Sequence, residues 1–320
     1  MPDVVHIGYP KTASTFLQTH VFPNLDGCAF LTHWGDAAAE LRPLIRNLYW
    51  ADDDHYLQET LRTFIAEWRT AHPGPLLLSD ENLAGGLYPI DDNWERNARR
   101  IHDQLPDAHV LVVVREQRAL MRSAYSLHVQ RGGYVSFADL LAGRAERARF
   151  VPEIFCFHHL VVRYRELFGA DRVTVMPYEQ LARDPGRFAS EVSSLVSGRP
   201  VDVPQPTGSR ANVSLSPVSL RIMRRTNRMF RKSTYNAHPT VRRVPAAAKL
   251  RPVLHATVDR VVPPSFSRRI DDGTPADLAD VLEMFAESNT ILEQLTGLQL
   301  GALGYVLESE QDARRSTPSP

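Results

Sequence analysis

Short, continuous apolar runs alternate along this chain with longer segments whose apolar positions recur every three or four residues, a pattern that predicts an α/β fold. Val4 to Ile7 is the first such run, followed by Leu76-Leu77-Leu78 and Val110 to Val114. The Val110 to Val114 run is rich in β-branched residues, which suits a strand covered on both faces of a parallel sheet. Between the runs, Leu57, Leu61, Phe64, Ile65 and Trp68 trace one apolar stripe at helical spacing and are predicted to be core. His72-Pro73-Gly74 should end that helix, whereas Asp92-Asn93-Trp94-Glu95 and Thr274-Pro275 should each open one.

The first strand leads into Gly8-Tyr9-Pro10-Lys11-Thr12-Ala13-Ser14-Thr15-Phe16-Leu17-Gln18. A loop carrying lysine and hydroxyls that opens a helix is suited to an anion: unpaired N–H groups converge there and the helix dipole adds positive charge. Thr15 and Gln18 have capping-box spacing. The plain alternative is a strand-turn-helix with Lys11 in water. The nucleoside-triphosphate loop is a poor match, because Pro10 precedes Lys11 and Gly8 sits too close to it.

Arg115 ends the Val110 to Val114 strand, and Ser123 falls on the helix predicted to follow. An arginine fork and a hydroxyl can hold one phosphate between them. Open α/β sheets bind ligands at the carboxyl edge of their strands. Ser79-Asp80-Glu81-Asn82, at the end of the Leu76 to Leu78 strand, should face that same edge.

With both segments in place, the chain resembles the sulfotransferases that use 3′-phosphoadenylyl sulfate (PAPS). Pro10 through Phe16 match their phosphosulfate loop, apart from Ala13 at a glycine position, and Arg115, Ser123, Tyr125 and Ser126 match their 3′-phosphate element. The Ala13 departure implies a backbone that avoids positive φ there. Weaker likenesses are Val173 to Leu181, which implies a later strand and a Tyr-Glu-x-Leu turn followed by a helix opening at Asp184-Pro185, and Phe285 to Leu292 with Leu303-Gly304-Tyr305. The resemblance implies a P-loop-like three-layer fold, a central parallel sheet flanked by helices, in a single domain over residues 1–306. It also implies PAPS as donor and adenosine 3′,5′-bisphosphate (PAP) as product. Lys11, Thr12, Ala13, Ser14, Thr15 and Phe16 would then meet the 5′-phosphosulfate, and Arg115 and Ser123 the 3′-phosphate.

Sulfuryl transfer to an alcohol needs a base for the hydroxyl proton, and related enzymes use glutamate or histidine. Glu81 is the first candidate and His33 the second. Asp80 and Glu81 could equally cap a helix or pair with arginine. No histidine or cysteine spacing marks a metal site, so the expected chemistry uses no metal.

Composition refines this picture in three ways. A chain of 320 residues with 43% hydrophobic positions can bury a sizeable core, while its net charge of zero excludes general attraction to nucleic acid. Only Cys28 and Cys156 occur, and there is no basic-apolar leader and no membrane-length apolar run, so a soluble bacterial enzyme of the cytoplasm is expected. Val203 to Thr257 holds many arginines and lysines but no acidic residue, which suggests a basic insertion or lid at about 203–258; the bland reading is a solvated helix face, while the resemblance, whose family brings a basic loop to the 3′-phosphate from about this part of the chain, implies Arg210 as the residue to touch the donor. Residues 307–320 read as a disordered tail. Open alternatives are an ATP-dependent P-loop-like kinase and an inactive nucleotide-binding protein. The acceptor, a hydroxyl of a small molecule, carbohydrate or lipid, is not encoded in any motif, nor is the oligomeric state.

Overall fold

The computed structural model describes residues 1–32, 41–72, 74–86, 93–144, 151–201, 216–241 and 279–308. His33, Arg210, the Thr274-Pro275 helix start, most of the basic segment and almost all of the 307–320 tail lie outside the described residues. Contacts divide the chain into two units: residues 1–117, 153–207 and 283–320 form one, and residues 118–152 and 208–282 form the other.

The first unit holds a parallel sheet of five strands, β1 (Val4–His6), β2 (Ala29–Thr32), β3 (Leu76–Ser79), β4 (His109–Val114) and β5 (Val173–Pro177), in the order β2-β3-β1-β4-β5. All four strand pairings are parallel. The helices introduced in chain order are α1 (Ser14–Phe16), α2 (Leu41–Trp50), α3 (Gln58–Ala71), α4 (Trp94–Gln104), α5 (Gln117–Gln130), α6 (Phe137–Leu141), α7 (Phe157–Phe168), α8 (Tyr178–Arg183), α9 (Pro185–Ser197), α10 (Pro217–Phe230) and α11 (Ala279–Thr296). Strand and helix thus alternate as the hydrophobic pattern predicts.

Side chains alternate across a strand, and each face of the sheet has its own cover. On one face Val4, Leu77, Leu111, Val113 and Met176 pack with Leu17, Val21 and Phe22 after β1 and with Phe188, Val192 and Val196 of α9. Leu31, Leu76 and Leu78 point the other way, against Ile45 of α2, Leu61 and Ile65 of α3 and Ile101 of α4. The result is a three-layer α/β arrangement. In the predicted stripe of α3, Leu61 and Ile65 are buried but Leu57 is 48% exposed, because it precedes the helix instead of joining its inner face. Asp184 caps α9 by accepting from the Arg187 N–H at 3.0 Å, with Pro185 in the first turn, as the resemblance implies.

In the second unit, α10 begins at a Ser216 cap and carries part of the basic segment. The buried Asn227 amide donates to Val129 O and Gly133 O, both at 2.7 Å, and Arg224 Nη1 donates to the Tyr125 hydroxyl at 3.3 Å. At least one arginine of the basic stretch therefore has a partner inside its own unit. Among the described residues, no helix is long and apolar enough to cross a membrane.

Candidate active site at the sheet edge

Strand order decides where the site lies. The chain goes from β3, on one side of β1, to β4 on the other, so the carboxyl ends of β1 and β4 flank the point where the winding reverses. Ile7 N–H donates to Leu111 O at 3.1 Å and Tyr9 N–H to Val113 O at 3.4 Å, carrying the β1–β4 pairing to the loop. There the Thr12 N–H (3.3 Å) and hydroxyl (2.5 Å) both donate to Tyr9 O and close the turn. Thr12 is fully buried, so its side chain holds the loop together and does not face a ligand.

The loop is strained. Lys11 and Ala13 have φ of 72° and 76°, and they are the only described residues other than glycine with positive φ. Each left-handed non-glycine residue costs about 1–3 kcal/mol and persists only because its surroundings enforce it. The expectation that Ala13 avoids positive φ is therefore wrong. Ala13 adopts the conformation that glycine would take at low cost, since a left-handed residue beside a helical one turns successive N–H groups into one anion-facing concavity. The capping box is also absent. Ala13 is the N-cap and no side chain caps α1, Thr15 is exposed, and Gln18 Nε2 donates instead to Ser79 O (3.2 Å) and Ser79 Oγ (3.0 Å). A π-helical turn, Leu17–Val21, follows α1 and gives Gln18 that direction.

Arg115 meets this loop directly. Its Nη1 donates to Lys11 O at 3.1 Å, and its guanidinium carbon stands 4.4 Å from the centre of the Tyr178 ring. Beside it, Glu179 accepts from Glu116 N–H at 3.0 Å with one oxygen and from the Tyr305 hydroxyl at 3.0 Å with the other. Burial first, and the Glu179 carboxylate next, push the Tyr305 phenol well above its usual range, so it remains a donor. Gln117 and Asn289 exchange buried amide hydrogen bonds (2.6 and 3.2 Å), and Asn289 also donates to Val306 O, which docks the C-terminal segment here.

The end of β3 reaches the same edge. His6 pairs with Ser79, and Asp80 N–H donates to His6 O at 3.1 Å. Asp80 is fully buried and caps a short 3-10 turn, Glu81–Ala84, by accepting from Asn82 N–H (2.9 Å) and Asn82 Nδ2 (2.8 Å). Glu81 is half-buried at the start of that turn. The nearby Tyr49 phenol is pushed up to about 12, first by burial and then by the Asp80 carboxylate.

Of the residues singled out from sequence, Lys11, Thr12, Ala13, Ser14, Thr15, Phe16, Glu81 and Arg115 belong to this unit. Ser123 is buried on α5 in the other unit. Three contributors are not evident from the motifs alone. Tyr178 and Glu179 stand at the end of β5 and touch Arg115 and its neighbour, and His6 lies beneath the loop. The signal for the first two is their place directly after an apolar strand, the position that also marks Arg115. Among the described residues no group of three His, Cys, Asp or Glu side chains is placed to hold a metal ion.

No family model matches the chain, and no curated protein matches it. Solved structures do. A sulfotransferase from Alicyclobacillus acidocaldarius is 18% identical, with 71% of this chain and 94% of that one covered, at a TM-score of 0.45. A sulfotransferase domain from the curacin biosynthetic pathway is 13% identical (84% and 96% covered, TM-score 0.40). One from the Synechococcus PCC 7002 olefin synthase is 15% identical (82% and 96% covered, TM-score 0.37). Likenesses this distant carry no argument about activity, and the functional reading rests on the geometry of the edge itself.

Proposed function

We propose that the chain transfers a sulfuryl group from PAPS to a hydroxyl of a small-molecule, carbohydrate or lipid acceptor and releases PAP. The observation that carries this reading is the Arg115 Nη1 to Lys11 O hydrogen bond, which joins the two cation-bearing segments at one sheet edge. A strained, anion-facing backbone loop beside an arginine fork suits a ligand with two separate anionic groups.

In this reaction the acceptor oxygen attacks sulfur in line, its proton passes to Glu81, and the S–O bond to the bridging oxygen breaks as PAP leaves with the electron pair. Lys11 balances charge on the bridging oxygen and 5′-phosphate, and N–H groups of the Ala13 to Phe16 stretch add donors that need no reorganisation. Arg115 holds the 3′-phosphate. The roles of Ser123 and Arg210 at that phosphate, and of His33 as the alternative base, rest on the sequence motifs alone.

Titration calorimetry with PAP and with ATP plus magnesium, together with a sulfate-transfer assay over a panel of hydroxylated acceptors, tests the reading. PAP should bind about 10- to 100-fold more tightly than ATP, the worth of a charge-assisted phosphate contact. Lys11→Ala should slow transfer about 10²–10³-fold, and Glu81→Gln about 10²–10⁴-fold. Preference for ATP would replace the sulfotransferase by a kinase. PAP binding without transfer to any acceptor would leave a nucleotide-binding protein.

A further inference from the structure

His6 closes β1 with its side chain 0% exposed, directly under the loop. Its Nδ1 lies 2.7 Å from Ser79 Oγ, which already accepts a hydrogen bond from Gln18 Nε2 at 3.0 Å. With the Ser79 proton assigned to Nδ1, the imidazole's own proton lies on Nε2. Burial lowers the His6 pKa to about 3, so the ring is neutral at physiological pH.

Nε2 finds no hydrogen-bond partner among the described residues. It is aimed at the loop: a Cβ built on Gly8 would stand 3.0 Å from Nε2, 3.2 Å from Cε1 and 3.6 Å from Thr12 Oγ1. Position 8, at φ 28°, is therefore confined to glycine by the ring below it as well as by its own backbone. A buried donor left unsatisfied is destabilising, and an apolar ring would fill the same space against Phe22 without that penalty. A polar group kept here at such a cost points to a use in another state of the loop.

We propose that His6 is a positioning residue of the donor site, its Nε2–H being the hydrogen bond that fixes the Gly8 to Thr12 backbone from below when the anion binds. Ser79 sets the ring's tautomer and Gln18 sets Ser79, so one chain of hydrogen bonds links the loop after β1 to the end of β3, where Asp80 and Glu81 begin. His6 acts through the loop and touches neither reacting atom. This proposal rests on the donor-binding reading given above.

Selective 15N-histidine labelling of the wild-type protein reads the ring directly, and variants read its consequence. The His6 signals should report the neutral Nε2–H tautomer, and that N–H should shift when PAP is added. His6→Asn keeps a partner for Ser79 but loses the distal donor, and should weaken PAP binding about tenfold with the acceptor KM unchanged; His6→Gln, which restores a donor at Nε2, should recover most of the loss. Wild-type PAP binding with an unmoved His6 Nε2–H, or His6→Asn binding PAP as the wild type does, overturns the proposal and leaves the sulfotransferase reading intact. If the variants do not fold, the wild-type shift alone decides. A wild-type protein that binds no PAP removes both.

Discussion

The loop after β1 and the residues after β4 sit on neighbouring strands and converge on Lys11 O, yet they are held in opposite ways. The loop is shaped from within and below: two left-handed residues, the Thr12 contacts to Tyr9 O, and a buried neutral ring whose charged form the interior rejects. Arg115 is held from the side by groups that favour its charge, the face of Tyr178 and the Lys11 carbonyl, with Glu179 and Tyr305 fixing the adjacent backbone. A backbone anion site must be rigid because its dipoles are weak singly and act only when aligned. A guanidinium carries a full charge and needs only its direction set.

That contrast can be broken on either side. The largest effect should come from Arg115→Ala, which removes the fork and also the bond to Lys11 O. PAP binding should weaken by about 10- to 100-fold, the equivalent of about 1.5–3 kcal/mol for a charge-assisted contact. Binding of adenosine 5′-phosphosulfate, which lacks the 3′-phosphate, should change far less. Equal losses for both nucleotides in parallel titrations would mean that Arg115 serves the loop and not the 3′-phosphate.

Acid should act on the loop side first. Above about pH 6.5 the His6 imidazole is neutral in both folded and unfolded chains, and its contribution to stability is complete. As pH falls from there towards about 3, the unfolded chain takes up a proton that the buried ring refuses, so stability drops by up to about 1.4 kcal/mol per pH unit for that group. His128, lowered by burial to about 4, acts with the same sign. Urea unfolding midpoints measured from pH 7 to 4.5 should fall steadily for the wild type and less steeply for His6→Gln; parallel slopes would show that His6 is not the group that titrates.

Ala13→Gly should give the smallest change. Relief of the left-handed strain outweighs the added freedom of the unfolded chain, for a net gain of about 0.5–1 kcal/mol in unfolding free energy by chemical denaturation. PAP affinity should remain near the wild-type value, because the N–H groups keep their directions. A loss of stability would mean that the methyl group packs well enough to offset its own strain.

The order of elements was readable because it is written locally. An apolar run such as Val110 to Val114 is a strand buried on both faces whatever surrounds it, and Asp184-Pro185 starts a helix through its own side chain and ring. The lysine loop and Arg115 could be placed at one edge for the same reason, since both follow apolar strands of a parallel sheet. The failures share a different cause. Thr15 and Gln18 have the spacing of a cap, but Gln18 is drawn away by Ser79, 61 residues further on, because a buried hydroxyl and carbonyl need a donor more than an exposed helix start does. Ala13 looks committed to negative φ until the turn at Tyr9 and the helix beyond it force the opposite sign.

The sequence by itself determined the parallel α/β layering, the anion-suited loop and the arginine at the end of β4, since each depends on side-chain pattern within a few residues. Only the tertiary structure decided that Arg115 reaches the Lys11 carbonyl, that Tyr178 lies beneath its guanidinium, and that His6, Ser79 and Gln18 form one buried chain under the loop. Those contacts join residues separated by dozens of positions. Their partners are chosen by sheet register and by the demand of buried polar groups for hydrogen bonds, neither of which is visible in a local pattern.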